Sequence, residues 1–329
     1  MMIKKHQLAQ KIIFGLIPLF YNLTPLYANT PTWQTWVTEL RQEALTRGIR
    51  PEVFDRAFKN VKEPSPEVIK LDKHQPEKRL TYYDYRNSRA DAYRIRMGQE
   101  EYKKYYDLIN RIGREYGVDP CVMLSLWGLE TSYGHYLGKF YVIQSLASLA
   151  YHPRRADFFR QQLLVALEIL NQGHIDQNHF VGEWAGASGQ PQFMPMTWKD
   201  YAVDYDRDGK KNIWTSYPDA FASMANFLNH IGWQTNQPSL IEVHVDGNLS
   251  SYINNKNQND SKKTLLEWKQ LGVSTNHWPA DLNQSARLIQ PDGGPVFLAL
   301  NNYDVLMRWN HSIYYAGTVD YLAKNICQN

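Results

Sequence analysis

The 329-residue chain contains only two cysteines, Cys121 and Cys327. Two cysteines are too few for a disulfide framework. An exported protein could join them in one bridge that closes a long loop. The alternative is that Cys121, which lies in an apolar segment, is a packed thiol. The sequence leaves both possibilities open.

The chain also lacks a strong excess of charge of either sign. It has 36 Lys and Arg and 33 Asp and Glu, which gives a net charge of +3. A balance this small neither requires nor excludes an acidic polymer, and we predict no nucleic-acid partner. The chain lacks an internal repeat and the GxGxxG, P-loop, CxxC and HExxH motifs. With 43% hydrophobic and 21% charged residues, it has the composition of an ordinary globular protein.

The apolar run Ile12–Phe20 is too short, and with Pro18 too interrupted, for a comfortable membrane span. Lysines precede the run and Leu26-Tyr-Ala28 follows it, which is the pattern of a secretory signal peptide. We therefore predict a signal peptide over residues 1–28, cleaved before Asn29, and a periplasmic protein that is at most peripheral to the membrane or wall. An uncleaved anchor is the alternative, and no cysteine follows the run to carry a lipid.

Aromatic residues are abundant, with 22 Tyr and 10 Trp. Their flat apolar faces and polar edges suit stacking on sugar rings, although core packing is their commoner use. Tyr85 closes the cluster Tyr82–Tyr85, which is either a core staple or the lip of a groove.

Apolar spacing predicts a mainly α (α+β) fold, a helical body with a small β-rich C-terminal part. The predicted helices lie within 32–59, 88–116, 118–134, 146–149, 154–170, 195 onward, 220–230, 264–271 and 319–326. The predicted strands are 240–245, 296–300 and 304–308, and residues 62–79 are predicted to be an irregular connector. We divide the mature chain into an N-terminal helical region (29–117), a catalytic core (118–235) and a C-terminal α+β region (236–329), together one unit.

The stretch Val118–Gly134 predicts a buried helix of about four turns, because Asp119 can cap it, Pro120 suits its first turn and few of its residues are polar. Near its end stands Glu130. A carboxyl in apolar surroundings without an adjacent cation resists ionisation, and a raised pKa suits a general acid. The alternative is a solvated or Arg-paired surface glutamate.

Two loops follow that differ in composition from the helices around them. Gly182–Trp198 combines glycines, prolines, amides and aromatics, which predicts a constrained functional loop. In Asp204–Trp214, acidic residues at alternate positions form the front half of an EF-hand calcium loop, but Thr215 stands where the closing Glu belongs. Asp219 could supply that carboxylate. The alternative is a turn of self-capping Asp side chains.

Taken together, these segments resemble the lytic murein transglycosylases of the B type, which have a lysozyme-like fold. The resemblance covers most of the mature chain in order and spacing, through the segments Gly128–Gly134, Trp184–Pro195, Tyr201–Gly209, Asn212–Trp214, Gly232–Trp233, Asn302–Val305 and Arg308–Ala316. The chain departs from the common family pattern at four positions, Glu183 (often Ser), Ser188 (often Met), Met196 (often Ser) and Trp309 (often Tyr). Glu183 matters most, because it adds a second carboxylate to the loop.

The resemblance implies a role for each of several residues. Glu130 would be the sole catalytic acid and base, Gln192 and Phe193 would line the sugar groove, and Tyr315 would lie at the active site. Apart from the resemblance, we also predict that Glu183, Trp309 and Tyr85 bind substrate. A structural calcium ion, the only metal implied, would lie among Asp204, Asp206, Asp208, Asp219 and the carbonyl of Lys210. The implied partners are peptidoglycan glycan strands and, as a further partner, cell-wall synthesis or secretion machinery.

The implied reaction is cleavage of the MurNAc–GlcNAc β-1,4 bond without water, giving 1,6-anhydro-MurNAc ends. Most glycosidases use two carboxylates, whereas this reaction needs one. Two alternatives remain from other classes. Glu183 could hold a water and make the protein a hydrolysing muramidase, or the groove could bind glycan without cleaving it.

Overall fold

The structure, a computed structural model, describes residues 31–73, 80–254 and 261–327. The predicted signal peptide lies outside these residues. The helices are α1 (Trp33–Thr46), α2 (Pro51–Phe58), α3 (Pro66–Lys73), α4 (Tyr82–Arg89), α5 (Ala92–Lys104), α6 (Tyr106–Tyr116), α7 (Pro120–Thr131), α8 (Val142–Tyr151), α9 (Ala156–Gln172), α10 (Pro195–Tyr201), α11 (Tyr217–His230), α12 (Leu265–Gln270), α13 (Asn301–Trp309) and α14 (Ile313–Cys327). The strands are β1 (Phe140–Tyr141), β2 (Val181–Gly182), β3 (Leu240–Val243), β4 (Lys263–Thr264), β5 (Ser285–Ile289) and β6 (Val296–Ala299). The predicted mainly α (α+β) fold with a small β-rich C-terminal part is confirmed, and the small sheets are antiparallel.

Helices α1–α3 pack with α8, α9 and the loops up to Trp214 around a first hydrophobic core. The prediction of an irregular connector over 62–79 is wrong where α3 forms. Pro66 opens that helix, a position where proline removes no hydrogen bond. Val68 on its inner face is fully buried.

A second core lies around α7, which packs against α5 and α14. The predicted helical stretch 88–116 is divided into α4, α5 and α6. The side chain of Asp91 accepts a hydrogen bond from the Arg94 amide and starts α5, because a capping Asp favours a new N-terminus over a continued helix.

The C-terminal sheet has the antiparallel order β3-β6-β5-β4, with Leu240 opposite Ala299 and Arg287 also opposite Ala299. The predicted strands at 240–245 and 296–300 are confirmed. The predicted strand at 304–308 is wrong, because this segment lies in α13 and buries Val305 and Leu306. A short apolar run does not distinguish a strand from a helix.

The two cysteines form a disulfide, with their Cα atoms 6.1 Å apart across a sequence separation of 206 residues. The bridge joins the first turn of α7 to the last turn of α14. The sequence left open whether Cys121 is disulfide-bonded or a packed free thiol, and the structure contains the disulfide. Within the described ranges, no helix combines the length and the apolar character needed to cross a bilayer.

Candidate active site

Glu130 is the next-to-last residue of α7, and the helix that carries it is fixed at both ends. At the start, the Asp119 side chain accepts from the Cys121 amide, as the sequence predicts for an N-cap. At the end, Ser132 takes a left-handed conformation with φ of 52° and turns the chain out of the helix. The carboxyl therefore projects from a rigid helix at the point where the backbone leaves it.

Arg94 of α5 secures the last turn of α7. Its guanidinium donates to the Gly128 carbonyl at 2.9 Å and to the Ser132 hydroxyl at 3.0 Å. A cation at a helix C-terminus satisfies unpaired carbonyls and opposes the helix dipole. Sequence reasoning missed this residue, since nothing in the local pattern of α5 connects it with α7.

Two donors from the C-terminal helices converge on Glu130. The Tyr315 hydroxyl of α14 donates to Oε1 at 2.5 Å, and the Trp309 indole N–H, at the end of α13, donates to the same oxygen at 2.8 Å. Among the described residues, no donor reaches Oε2. One carboxyl oxygen is thus held in place, and the other has no donor within the described residues.

Burial raises the pKa of the Glu130 carboxyl, and the hydrogen bonds from Tyr315 and then Trp309 oppose that rise. The charge of Arg89 lowers the pKa of Glu130 and the charge of Glu183 raises it, both with smaller effect. Burial also raises the pKa of Tyr315 well above its usual value, so this hydroxyl keeps its proton as a donor. A carboxyl that holds a proton nearer neutral pH is suited to general acid catalysis.

The loop after β2 reaches the site through two buried anchors. Gln190 accepts from the Trp127 indole at 2.7 Å and donates to the Trp214 carbonyl at 3.0 Å, which ties the loop to the middle of α7. Phe193 is 4% exposed, and its ring lies 5.6 Å from that of Trp309. Sequence reasoning did not single out Gln190, although its position between Gly189 and Pro191 in the constrained loop marks the segment that contains it.

The other predicted substrate-binding residues differ in their contacts. Gln192 has φ of 51°, and its amide donates to the carbonyls of Gly189 and Leu137, at 2.9 Å and 3.4 Å. Tyr85 is partly buried against Tyr314, with ring centroids 5.8 Å apart. Burial raises the pKa of Tyr85, the charge of Arg89 opposes that rise, and the charge of Glu130 adds to it. Glu183 also acts on Glu130 through its charge, whereas Trp309 binds the carboxyl directly.

The acidic loop brings three of its predicted metal ligands together. One carboxylate oxygen each from Asp204, Asp206 and Asp219 lies within 4.8 Å of the others. Asp208 does not join this group, and its carboxylate accepts from the Lys210 amide at 2.8 Å. Asp219 is fully buried and accepts from three backbone amides of the loop, including that of Asn212 at 2.8 Å. The loop therefore folds around Asp219.

Comparison with proteins of known sequence gives two matches. The profile of the family described as "Transglycosylase SLT domain" matches residues 32–324. The membrane-bound lytic murein transglycosylase B of Escherichia coli (strain K12) is 32% identical over 241 residues, which are 71% of this chain. The match spans 64% of that protein's length, which is less than two thirds.

Solved structures of lytic transglycosylases also resemble this chain. SltB3 of Pseudomonas aeruginosa, determined with NAG-NAM-pentapeptide and with NAG-anhNAM-pentapeptide, superimposes with TM-scores of 0.84 and 0.83 at 38% and 37% identity, covering 90% of this chain and 80% of that one. The Escherichia coli lytic transglycosylase Slt35 in complex with calcium gives a TM-score of 0.75 at 26% identity, covering 91% of this chain and 94% of that one. The resemblance found in the sequence is confirmed, and the chain belongs to the SLT-domain transglycosylase family, with the lytic murein transglycosylases of the B type as its relatives.

Proposed function

We propose that the protein is a lytic murein transglycosylase that cleaves the MurNAc–GlcNAc β-1,4 bond of peptidoglycan without water and leaves a 1,6-anhydro-MurNAc end. The observation that carries this proposal is the single enclosed carboxyl of Glu130, held through Oε1 by two donors. The relative SltB3 was determined with a NAG-NAM-pentapeptide and with its anhydro counterpart, which supports the same substrate class.

In this proposal the free oxygen of Glu130, Oε2, carries the proton. Glu130 gives it to the glycosidic oxygen, the C1–O bond breaks towards that oxygen, and the N-acetyl group of MurNAc stabilises the positive C1. The Glu130 carboxylate then takes the proton of the C6 hydroxyl, whose oxygen bonds to C1. One carboxyl acts as acid and then as base, and no water is consumed.

The direct test is to digest purified peptidoglycan with the mature chain and to measure soluble fragments and reducing ends together. We expect soluble fragments to accumulate with no matching rise in reducing ends, because the anhydro bond leaves C1 without a free hydroxyl. A one-to-one rise of reducing ends with bond cleavage would exclude the proposal.

Tyr315→Phe removes the stronger of the two hydrogen bonds that lower the pKa of Glu130. We expect the pKa of Glu130 to rise. Since the acid form starts the reaction, the alkaline limb of the kcat/KM profile should move to higher pH. Trp309→Phe should move it the same way by a smaller amount. Tyr314→Phe is the matched control, since the one hydrogen bond of its hydroxyl to a described residue goes to the Asp292 carbonyl, at 3.5 Å. An alkaline limb that stays in place in Tyr315→Phe would contradict this assignment.

Glu183 is the specific feature that favours the alternative of a hydrolysing muramidase, since it is a second carboxylate whose charge is felt at Glu130. In the transglycosylase account, Glu183→Gln keeps the anhydro product. It removes a charge that raises the pKa of Glu130, so the alkaline limb of kcat/KM should move slightly to lower pH. Glu242→Gln, an exposed change on β3, is the control. The hydrolase would be established by two results together: the wild type produces reducing ends, and Glu183→Gln loses cleavage while Glu242→Gln keeps it.

We further propose that the acidic loop binds one structural calcium ion. Three carboxylates so close together repel one another, and their hard oxygens suit Ca²⁺. Asp204, Asp206 and Asp219 would hold the ion, with the Lys210 carbonyl and Asp208 as further ligands. Slt35 was determined in complex with calcium.

Calcium at 100 times its Kd should stabilise the fold by about 2.7 kcal/mol, and a chelator should remove this gain. The measurement is thermal unfolding with CaCl₂, MgCl₂ or chelator. Asp206→Asn should lose most of the calcium-dependent shift, whereas Asp200→Asn, an exposed change on the neighbouring α10, should keep it. Equal melting temperatures in calcium and in chelator would refute the site.

We also propose that residues 29–329 act as one unit with the three regions given above, in the periplasm and on glycan strands. Two observations support a single unit. The first core combines residues 33–68 with 142–214, and the second combines residues 82–133 with segments up to 326. Cores built from separate segments of the chain fold together. Contact with cell-wall synthesis or secretion machinery remains part of the proposal.

A further inference from the structure

A trough runs along the side of the molecule where α7 begins. It consists of three adjoining cavities of about 740, 310 and 550 Å³. The first two share Asp119, Trp233 and Gln237, and all three share Pro238. The segment Trp233–Ser239 therefore forms a continuous wall from the end of α6 to the C-terminal sheet.

This trough is separate from the carboxyl site. Asp119 precedes the first residue of α7 and Glu130 stands eleven residues later, so the two lie about 16 Å apart along the helix at 1.5 Å per residue. The largest cavity falls within the roughly 300–1,000 Å³ of typical ligand pockets. The disulfide, the start of α7 and the end of α14 line the adjoining cavity of about 310 Å³.

Two opposite charges line the largest cavity without pairing. Arg114 and Asp119 are both exposed there, and neither forms an ion pair with any residue in the described ranges. In the neighbouring cavity, by contrast, Asp320 is already paired with Lys324 at 2.6 Å. Two unpaired charges of opposite sign favour a ligand that carries both a cation and an anion.

Acceptors cluster at the Asp119 side of the cavity. The side-chain Oε1 of Gln237 is buried there and has no hydrogen-bond partner among the described residues, which is a costly state for a polar atom. The C-terminal end of α6, whose carbonyls carry partial negative charge, lines the same cavity through Gly113 and Gly117. An ammonium group would satisfy Gln237 and balance Asp119 together.

We propose that the trough binds a short peptide with a free amino group and a free carboxylate, its ammonium beside Asp119 and Gln237 and its carboxylate beside Arg114. Exposed side chains of Thr235 and Asn236 would serve the peptide backbone. The identity of the occupant as the peptide stem of a peptidoglycan strand rests on the function proposed above. Because the N-terminal amino group of a stem is amide-linked to MurNAc, the ammonium in question is the side-chain amino group of the diamino acid in the stem. The trough would then hold a stem while Glu130 acts on glycan at the other end of α7.

The test is calorimetric titration of the mature wild-type chain with the free pentapeptide released from peptidoglycan. We expect one binding site per chain. Asn236→Trp, which fills the trough from an exposed position, and Asp119→Asn, which removes the charge but keeps a good helix cap, should each weaken binding at least tenfold. Acetylation of the side-chain amino group of the diamino acid should weaken binding as much, whereas acetylation of the N-terminal amino group, which is an amide in the strand, should not. Asn248→Trp, exposed and outside the trough, should bind as the wild type does.

The absence of measurable binding, or full binding in Asn236→Trp, would overturn the proposal. A peptide-free glycan chain that binds and is blocked by Asn236→Trp would also overturn it and would make the trough a glycan site. Thermal unfolding of each variant checks that the fold is kept. The titration involves no bond cleavage, so its result can be interpreted even if the transglycosylase proposal fails. Conversely, a failure of peptide binding would not affect the proposal that Glu130 cleaves the glycan.

Discussion

Glu130→Gln is expected to lower peptidoglycan cleavage by at least 10²–10⁴-fold, about the contribution of general acid–base catalysis, while the protein stays folded. The amide oxygen can still accept from Tyr315 and Trp309, so the packing around α7 is kept. What is lost is the proton that starts the reaction and the base that ends it. The measurement is the release of soluble fragments from purified peptidoglycan, with thermal unfolding alongside.

A suitable control is Glu115→Gln, an exposed change on α6. Within the part of the chain that the structure describes, the Glu115 carboxylate accepts one hydrogen bond, from the Tyr205 hydroxyl at 2.8 Å. This variant should retain wild-type activity. Cleavage by Glu130→Gln within tenfold of the wild type would contradict the central role of Glu130 and would shift attention to Glu183.

Removal of the disulfide is expected to have the largest effect on stability. The bridge closes a loop of 206 residues, and the chain-entropy relation gives a stabilisation of about 5 kcal/mol for such a loop, an upper figure because reduced chains retain structure. The bridge also ties α7, which carries Glu130, to α14, which carries Tyr315. We therefore expect Cys121→Ala/Cys327→Ala to unfold at clearly lower denaturant concentration and to lose activity at lower temperature.

Chemical denaturation of the wild type with and without reductant, compared with the double variant, measures this effect. Reductant should move the wild type towards the double variant and should leave the double variant unchanged. Equal unfolding midpoints for oxidised and reduced wild type would show that the bridge contributes no stability.

Local chemistry made part of this fold predictable. The capping Asp119, Pro120 and the apolar run after them determine α7 within one short stretch, so the helix and the place of Glu130 at its end followed from the sequence. The same local rules failed where two structures suit one pattern. Val305 and Leu306 could face a core from a strand or a helix, and the helix α13 forms because it packs against α14 and β6.

The surroundings of Glu130 depend on contacts over long sequence separations. Trp309 and Tyr315 reach its carboxyl from 179 and 185 residues away, and Arg94 reaches the last turn of α7 from another helix. The family resemblance pointed to Tyr315, and Trp309 was among the predicted substrate-binding residues, but the sequence did not predict that both donate to one oxygen. That arrangement depends on how α5, α13 and α14 pack around α7, which no local pattern encodes.

The central claim is that a bond breaks without water, and the most direct test is digestion of purified peptidoglycan in H₂¹⁸O followed by mass spectrometry of the released muropeptides. The account predicts products one water lighter than hydrolytic ones, with no ¹⁸O at the new end, made by the wild type and absent with Glu130→Gln. Products of full hydrolytic mass that carry one ¹⁸O would contradict it.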